Sequence, residues 1–566
     1  MVRNYFILIL VIIFSGCSIQ SRKDQAAFRE FIQQKQWDKA EAFLKNSSLK
    51  KDEENKLLYL MELGNLYFRK EYYSKSARIF VQANELVDKL YTKSVKELVA
   101  SSIINENQKT FYGSLFERSQ LYYFQALSFY NLYMRGEQFV KGKEDKDYKL
   151  EKIPNSKLKQ IKSQVRSTLI AWDSFYSEMI RSTRSKTFLK RSFLAKQLAA
   201  SLHQALGTRR DKEIAYQLKK DAYDILIELG PTLKIFNEEF KNYNGDLVEA
   251  YNNKKSGKSL TSKKLSDKFI ETRDKLAIEI LSYAKRARST EYKRLIKKIR
   301  PNNEILKQVN SYKAGNVIFV LQEGLISPMV AKDYSYNLRS AIDGIESPNT
   351  RNLVNAIGVP VITYFALGPL GLGFASHHGN VSVYSRHSAG EAITKEVGIE
   401  FELPYSPPSS EKGDFYLLIK SGKNIIKKKK LAVLGSLSDT SFIYAQELIS
   451  NSFTKRATRV GIKYLLAIIA AYKTYETIKE SSGELFAKPA AIAQFLISQK
   501  GIKETEKADV RYWTSLPDLF LQQELRLKPG NYDVEVTEVK AGKVIRQVNA
   551  GSVFVRNKPT IFSYNL

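Results

Sequence analysis

The chain has 566 residues, of which 90 are Lys or Arg and 59 are Asp or Glu, so its formal net charge is +31. Hydrophobic residues make up 43% and aromatic residues 12%, a composition that builds packed cores and excludes a mainly disordered chain. The length predicts roughly two to four domains. A single cysteine excludes an intramolecular disulfide framework and a cysteine-cluster zinc site, and four histidines leave little material for a histidine-based metal enzyme.

The N-terminus has the parts of a secretory signal. Arg3 precedes an apolar run over 5–14, which is too short to span a bilayer, and small residues then lead to Cys17. The sequence Phe14-Ser15-Gly16-Cys17 resembles the bacterial lipobox, although that motif normally has Leu where Phe14 stands. An ordinary secretory signal followed by a chance cysteine is the alternative.

The lipobox resemblance implies that residues 1–16 are removed and that Cys17 is acylated, with 17–24 as a lipidated polar tether. Two or three acyl chains would give a stable anchor, because each buried CH₂ adds about 0.8 kcal/mol of membrane affinity. Ser18 follows the cysteine, where Asp would retain an enteric lipoprotein at the inner membrane. We therefore expect the bacterial outer membrane, with a periplasm-facing chain and surface exposure left open.

Helical periodicity with few prolines runs over residues 25–308 and predicts a helical repeat domain. One stretch has the spacing of the tetratricopeptide repeat (TPR), in which Gly64 lets two helices approach closely and Tyr67 fills the groove. Several such repeats would stack into a superhelix, and a non-repeating helical bundle is the alternative. The residues predicted to pack this repeat are Leu60, Leu63, Gly64, Tyr67, Ser76, Phe80 and Ala83.

The pattern changes near residue 315, and 314–566 is predicted to be a β-rich, sandwich-like domain with a helical insert at about 440–500. Ser421 to Asn424 is a predicted hairpin turn, and the lysine run 427–430 is predicted to be a solvated strand edge. The predicted fold class is therefore a multidomain α+β protein, with an N-terminal TPR-like α-solenoid. The turn at Ser421 to Asn424 would join strand 414–419 to strand 431–434, and a turn at Ala541 and Gly542 would join the last two strands into a terminal antiparallel hairpin. The predicted strands are 316–324, 400–405, 414–419, 431–434, 530–539 and 543–555.

Several segments resemble an uncharacterised family of bacterial envelope lipoproteins with a TPR-like N-terminal half and a β-rich C-terminal half. The most specific is 508–517, Ala-Asp-Val-Arg-Tyr-Trp-Thr-Ser-Leu-Pro, and the lipobox and 401–405 add to it. The region 340–398 departs from the family pattern. The resemblance implies no established activity.

Asp509, Arg511 and Trp513 alternate along an extended segment, so all three could face one side. An arginine–carboxylate pair beside an indole could bind a sugar or a peptide of a protein partner. The alternative is a structural ion pair with Trp513 packed at the junction of the two domains. The sequence leaves both interpretations open.

No catalytic constellation is found. His377, His378 and His387 lie near Glu391, which are residue types that suit zinc, but their spacing matches no metal motif. A Gly-rich phosphate loop and a Gly-x-Ser-x-Gly motif are missing from the sequence, and the one thiol is assigned to the lipid. We therefore predict no enzyme activity, no metal and no cofactor.

The uncharged stretch 357–375 contains two prolines and four glycines, which would break a spanning helix. It could form a buried β-turn-β segment or a loop that touches a partner or a membrane.

These observations predict a lipid-anchored periplasmic adaptor that binds an envelope protein through a TPR-like groove, in peptidoglycan or outer-membrane assembly. Export removes nucleic acid as a partner and leaves anionic lipid, peptidoglycan or an acidic protein for the positive charge. A peptidoglycan-acting enzyme is one alternative, and it predicts a cleft with converging carboxylates of raised pKa. A carrier of lipid or glycolipid is the other, and it predicts an apolar cavity lined by 357–375.

Overall fold

A computed structural model describes residues 20–97, 110–141, 148–181, 188–240, 264–337, 398–556 and 558–566. Over these ranges the chain is a mixed α+β protein, as predicted. Helices dominate up to residue 311, and strands dominate afterwards apart from one long helical hairpin.

The N-terminal part of the described chain is a layer of helices in which consecutive members pack side by side. Ser114 begins α6 through a capping box, because its hydroxyl accepts from the Glu117 amide while the Glu117 carboxylate accepts from the Ser114 amide at 2.6 Å. Gly136 ends that helix with a φ of 68°, a conformation that glycine adopts without strain. The helices are α1 (20–33), α2 (Trp37–Asn46), α3 (Ser48–Lys51), α4 (Lys56–Arg69), α5 (Tyr73–Glu97), α6 (Leu115–Arg135), α7 (Asn155–Arg181), α8 (Phe193–Leu206), α9 (Arg209–Leu229), α10 (Asp267–Ala287), α11 (Ser289–Ile299) and α12 (Asn303–Ser311).

The seven residues of the predicted repeat lie together where α4 packs on α5. Gly64 allows the close approach, since a Cβ there would lie 2.7 Å from the Phe80 ring. The Ser76 hydroxyl donates to the Gly64 carbonyl at 2.9 Å and fixes the two helices against each other. Leu60 is half-buried and the other six are buried.

The strands form two four-stranded sheets and two hairpins. One sheet has the order β11-β10-β6-β7 and the other β12-β3-β9-β8, in which β12 runs parallel to β3. The hairpins are β1-β2, inside the helical part, and β4-β5. The strands are β1 (Glu137–Lys141), β2 (Tyr148–Lys152), β3 (Val317–Glu323), β4 (Val330–Asn337), β5 (Gly398–Tyr405), β6 (Asp414–Ser421), β7 (Asn424–Lys430), β8 (Ala432–Ser436), β9 (Leu519–Leu525), β10 (Gly530–Lys540), β11 (Lys543–Val555) and β12 (Thr560–Asn565).

The predicted terminal hairpin is confirmed as β10 and β11, and the predicted insert as α13 (Leu437–Ser482) and α14 (Glu484–Thr505). The hairpin partner predicted for 414–419 was wrong. The turn at Ser421 and Asn424 leads β6 into β7, the lysine-rich edge strand, rather than into 431–434. The reason is burial. Strand β8 is buried along its whole length and joins the sheet of β12, β3 and β9, whereas β7 is largely exposed.

One apolar core runs through both halves of the described chain. The ring of Tyr123 on α6 lies 5.7 Å from that of Phe520 on β9. The Tyr123 hydroxyl accepts from the side-chain amide of Gln322 at 3.1 Å. The Tyr130 hydroxyl accepts from the Ile561 amide, also at 3.1 Å. The predicted boundary between 308 and 314 therefore marks a change of secondary structure, while the helices before it and the sheet after it pack around one common apolar core.

The predicted tether extended too far. Residues 20–24 already belong to α1, and both Ser21 and Asp24 are buried. The Asp24 carboxylate accepts from the amide and the hydroxyl of Ser48, each at 2.7 Å, and so holds the start of α3. With the Arg22 hydrogen bond to the Ala508 carbonyl, this contact ties the polar stretch to distant parts of the chain.

Candidate functional site

The segment 508–518, which we call the strap, crosses the faces of α1, α4 and α6 on its way from α14 to β9. It has no regular secondary structure, yet all of it except Asp509 is buried. Its main-chain groups therefore need partners from outside, because an unpaired buried amide or carbonyl is costly. Side chains of the three helices supply them.

From α1, the Arg22 guanidinium donates to the Ala508 carbonyl at 2.5 Å, and the side-chain amide of Gln25 donates to the Tyr512 carbonyl at 2.6 Å. Arg29 donates to the Thr514 carbonyl at 3.1 Å. Because 22, 25 and 29 are three or four residues apart, they share one face of the helix.

From α4, the Glu62 carboxylate accepts from the amide and the hydroxyl of Thr514 at 2.6 and 2.7 Å. The same carboxylate accepts from the amide and hydroxyl of Ser515. Asn65 and Arg69 donate to the Ser515 carbonyl at 2.8 and 2.9 Å. Three side chains of α4 therefore bind the main-chain amides of Thr514 and Ser515 and the carbonyl of Ser515.

Trp513 is fully buried in the centre of the strap. Its amide donates to Glu117 of α6 at 2.7 Å, and its indole N–H donates to the Ser515 hydroxyl at 3.1 Å. Its ring lies 5.9 Å from that of Phe80 and 5.8 Å from that of Phe124. A predicted packing residue of the repeat and the predicted binding tryptophan therefore touch each other.

Asp509 and Arg511 form an ion pair of 2.7 Å, and Arg511 also donates to the side chain of Asn55 at 3.0 Å. The Arg511 side chain is 7% exposed and that of Asp509 27%. With Trp513 wholly enclosed, the predicted triplet offers almost no surface to a partner. The geometry is that of the alternative interpretation, an internal ion pair beside a tryptophan packed at the junction of helices and sheet.

Burial raises the pKa of several carboxyls, which is the property that the enzyme alternative predicts. It raises the pKa of Glu62 to about 7 and that of Asp439 to about 6, and it also raises that of Glu117. Each of these groups accepts from main-chain amides: those of Thr514 and Ser515, those of Ile235 and Ser409, and those of Ser114 and Trp513 respectively. Their surroundings are those of structural acceptors that hold loops.

A second group of buried charges lies between α9, α10 and β9. The Lys219 ammonium is 2.8 Å from Glu279 and 4.0 Å from Glu524. Burial raises the pKa of Glu524 and lowers that of Lys275, which donates to Gln523 at 3.0 Å. The crevice beside Glu279 and Lys275 has about 10 Å³, room for about one water, so a sugar or peptide does not fit there.

An open cleft of about 300 Å³ lies between α7, α8 and α9. Its floor contains Trp172, Ala199 and Leu218, which are 1%, 7% and 8% exposed. Ile170, which is 62% exposed, stands at its edge. The small side chain of Ala199 on α8 leaves space between the larger side chains of Trp172 on α7 and Leu218 on α9.

The rim of this cleft is charged. Lys196 pairs with Asp173 at 2.6 Å and with Asp221 at 3.2 Å, so two carboxylates share one ammonium. Both aspartates are about half exposed, whereas the lysine side chain is 19% exposed. The rim therefore carries an excess negative charge on a chain whose net charge is +31.

Several predicted sites lie outside the described residues. They are the lipidation site Cys17, the histidines His377, His378 and His387, and the apolar stretch 357–375. Within the described ranges, no three His, Cys, Asp or Glu side chains come together as a metal site would require. Nor does any helix there combine the length and apolar character needed to cross a bilayer.

Sequence reasoning missed the acceptors Glu62 and Glu117 and the whole α7–α9 cleft. Glu117 carries a local signal, since Ser114 and Glu117 have the spacing of a capping box. Glu62 carries none, because its role depends on a loop 452 residues away. The comparisons with known proteins add no relative: no family model, no curated protein and no solved structure matches this chain.

Proposed function

We propose that the protein is a lipid-anchored adaptor of the bacterial cell envelope, attached through acylated Cys17, that binds a segment of a protein partner in the α7–α9 cleft. The observation that carries this proposal is the cleft itself, with an apolar floor and a charged rim that open to solvent. Its volume is at the lower end of the range of small-ligand sites, which suits one or two side chains.

We further propose that α2 to α9 are a degenerate TPR-like solenoid. Consecutive helices pack as neighbours, and the Gly64–Phe80 approach fits the close helix contact of such a repeat. The strap supports a peptide-binding role for the helices. Side chains on α1 and α4 bind the main chain of the strap, which is the way that helices of a peptide-binding protein would bind a partner segment. The partner site differs from the predicted one, since the strap fills the face of α1, α4 and α6.

The chemistry of the cleft defines the partner segment. An apolar side chain would enter over Ala199 and contact Trp172. A lysine or arginine beside it would pair with Asp173 or Asp221, which together have one lysine between them. The proposed ligand is therefore a short segment with one large apolar residue next to a basic one.

Site-specific photocrosslinking in membranes tests this proposal. A photoreactive residue at Ile170 should yield a discrete crosslinked protein, and Ala199→Trp, which fills the cleft, should abolish it. The same photoreactive residue at Ile227, a 45% exposed position on α9 outside the cleft lining, is the matched control. A product that survives Ala199→Trp, or equal products from both positions, would rule out the cleft as the binding site.

The anchor has a separate test. Cys17→Ser should move the protein from the membrane to the soluble periplasmic fraction, and the N-terminal peptide of the unaltered chain should carry acyl groups in mass spectrometry. A chain that begins upstream of Cys17, or that lacks acyl groups, would contradict the lipoprotein assignment.

A further inference from the structure

Helix α14 packs mainly on α13, and the two form a long helical hairpin. Glu506 marks its base, because its carboxylate pairs with Arg459 at 2.6 Å and with Lys463 at 2.7 Å. From residue 459 to the turn at Gly483, α13 rises about 36 Å at 1.5 Å per residue. We call residues 459–506 the arm.

Among the side chains of the arm that the structure describes, four buried alanines lie between the helices, together with the buried rings of Tyr464 and Tyr475. Ala467 and Ala471 of α13 are buried, as are Ala487 and Ala491 of α14. Near the tip the two α14 alanines and Tyr475 form a cluster separate from the main core. Alanines let the two helices approach closely, but they bury little apolar area.

Five large apolar side chains of the arm are more than half exposed. Leu485 is 81% exposed and Phe486 63%, and Leu496 and Ile497 are each more than half exposed. Leu466 of α13 is 59% exposed. In a two-helix hairpin in water, apolar side chains of this size are expected to lie between the helices.

On α14 these residues form one stripe. Leu485, Ala493 and Ile497 follow one another at multiples of four residues, and Phe486 and Leu496 flank them. Such spacing places them on a single face of the helix. The stripe extends about 18 Å from residue 485 to residue 497 and contains no charged residue among its exposed members.

We infer that this stripe is the contact surface for a second copy of the chain, with two arms pairing about a two-fold axis into a four-helix bundle. A two-fold contact joins the same patch of both subunits, so it requires a surface that is complementary to itself. An uncharged apolar stripe meets that requirement, and two helical hairpins are the parts of a four-helix bundle.

The charge distribution favours a second copy over an anionic or acidic partner. The chain as a whole carries +31, so two copies repel each other over most of their surfaces. Residues 464–499 contain three lysines and three glutamates and are therefore neutral. The whole arm, 459–506, has seven basic and five acidic residues and so carries only +2 of the total charge. Two copies can therefore meet along 464–499 with little of that repulsion, whereas an anionic lipid surface would gain little from this span.

The first test measures self-association of the full chain in detergent. Two differently tagged copies, expressed together, should co-purify, and light scattering should give twice the protein mass of one processed chain. Phe486→Glu with Leu496→Glu should weaken the dimer at least about 100-fold, since charges would then be buried in its interface. Ile227→Glu, at a 45% exposed position on α9 outside the cleft, is the control and should leave the dimer unchanged.

A charge-reversal pair protects the test against a variant that merely misfolds. Copies with Glu at 486 and 496 and copies with Lys at both positions should each be monomeric, and their mixture should form a heterodimer whichever way the stripes run. Monomeric wild-type protein, or a dimer that the Glu variant leaves intact, would overturn the inference. So would loss of vesicle binding by the Glu variant of a monomeric chain, because the arm would then dock on lipid.

Discussion

The strap with its helix contacts, which we call the junction, differs from the arm in the side chains that it buries. The junction buries charged and large aromatic side chains, whereas the arm leaves several large apolar side chains exposed. At the junction, Glu62 and Glu117 are buried and bind main-chain amides of the strap, and Trp513 is enclosed between rings. In the arm, alanines are buried and Leu485 and Phe486 face solvent. A buried charge with several partners is typical of an interior that is complete, whereas an outward apolar stripe is typical of a surface that another chain covers. The comparison separates the part that holds this fold together from the part available for assembly.

The largest expected effect breaks the junction. Trp513→Ala removes a fully buried indole that lies against Phe80 and Phe124, so the free energy of unfolding should fall by about 3–5 kcal/mol. Urea unfolding followed by circular dichroism measures it. The matched variant in the arm, Leu485→Ala, should change stability by less than about 0.5 kcal/mol. Equal losses in the two variants would remove the contrast between the regions.

The pH dependence of stability should come in part from Glu62. Burial raises its pKa from 4.5 to about 7, so the folded chain retains a proton that the unfolded chain has lost between these values. The stabilisation is complete below pH 4.5 and decreases as pH rises to 7, by up to about 3 kcal/mol. Glu62→Gln should remove that part of the slope between pH 5 and 7.5 in urea titrations.

Glu30→Gln, at an exposed position of α1, is the control for that titration and should retain the wild-type slope. The pKa of Glu117 and of Asp439 is raised as well, so a smaller slope of the same sign should remain in the Glu62 variant. A slope that Glu62→Gln leaves unchanged would show that this carboxylate titrates normally in the folded protein.

Two glycine substitutions sharpen the comparison further. Gly64→Ala places a methyl group 2.7 Å from the Phe80 ring, so it should destabilise the protein by about 1–3 kcal/mol. Gly501→Ala in α14 meets no atom within 4 Å and should stabilise the arm by about 0.5–1 kcal/mol, because alanine has the higher helix propensity. Thermal unfolding and amide exchange of the arm measure both. Two changes of the same sign would contradict the packing described at α4 and α5.

The smallest effect on stability is expected for Leu485→Ser with Phe486→Ser. Both side chains are already mostly in water, so the free energy of unfolding should change by less than about 0.5 kcal/mol. Self-association in the co-purification assay should nevertheless decrease. A large loss of stability without a change in association would mean that the stripe is part of the folded subunit.

Local sequence patterns were enough to predict the class of fold and many of its elements. The strict alternation over 530–539, with a turn at Ala541 and Gly542, predicted β10 and β11. The helical spacing predicted an insert at about 440–500, which the structure divides into α13 and α14. The Gly64 and Phe80 contact also followed from spacing. These features could be predicted because a repeat of two or of 3.6 residues records which side of one local element is buried.

The contacts between those elements could not be predicted in the same way. The sequence left Trp513 as either a binding residue or a packing residue, and the fold buries it against helices that precede it by about 400 residues or more. It likewise placed β12 beside β3 in parallel and opened a cleft between α7, α8 and α9. Contacts of this kind depend on shape and hydrogen-bond complementarity between distant segments, and local periodicity carries no record of a partner hundreds of residues away.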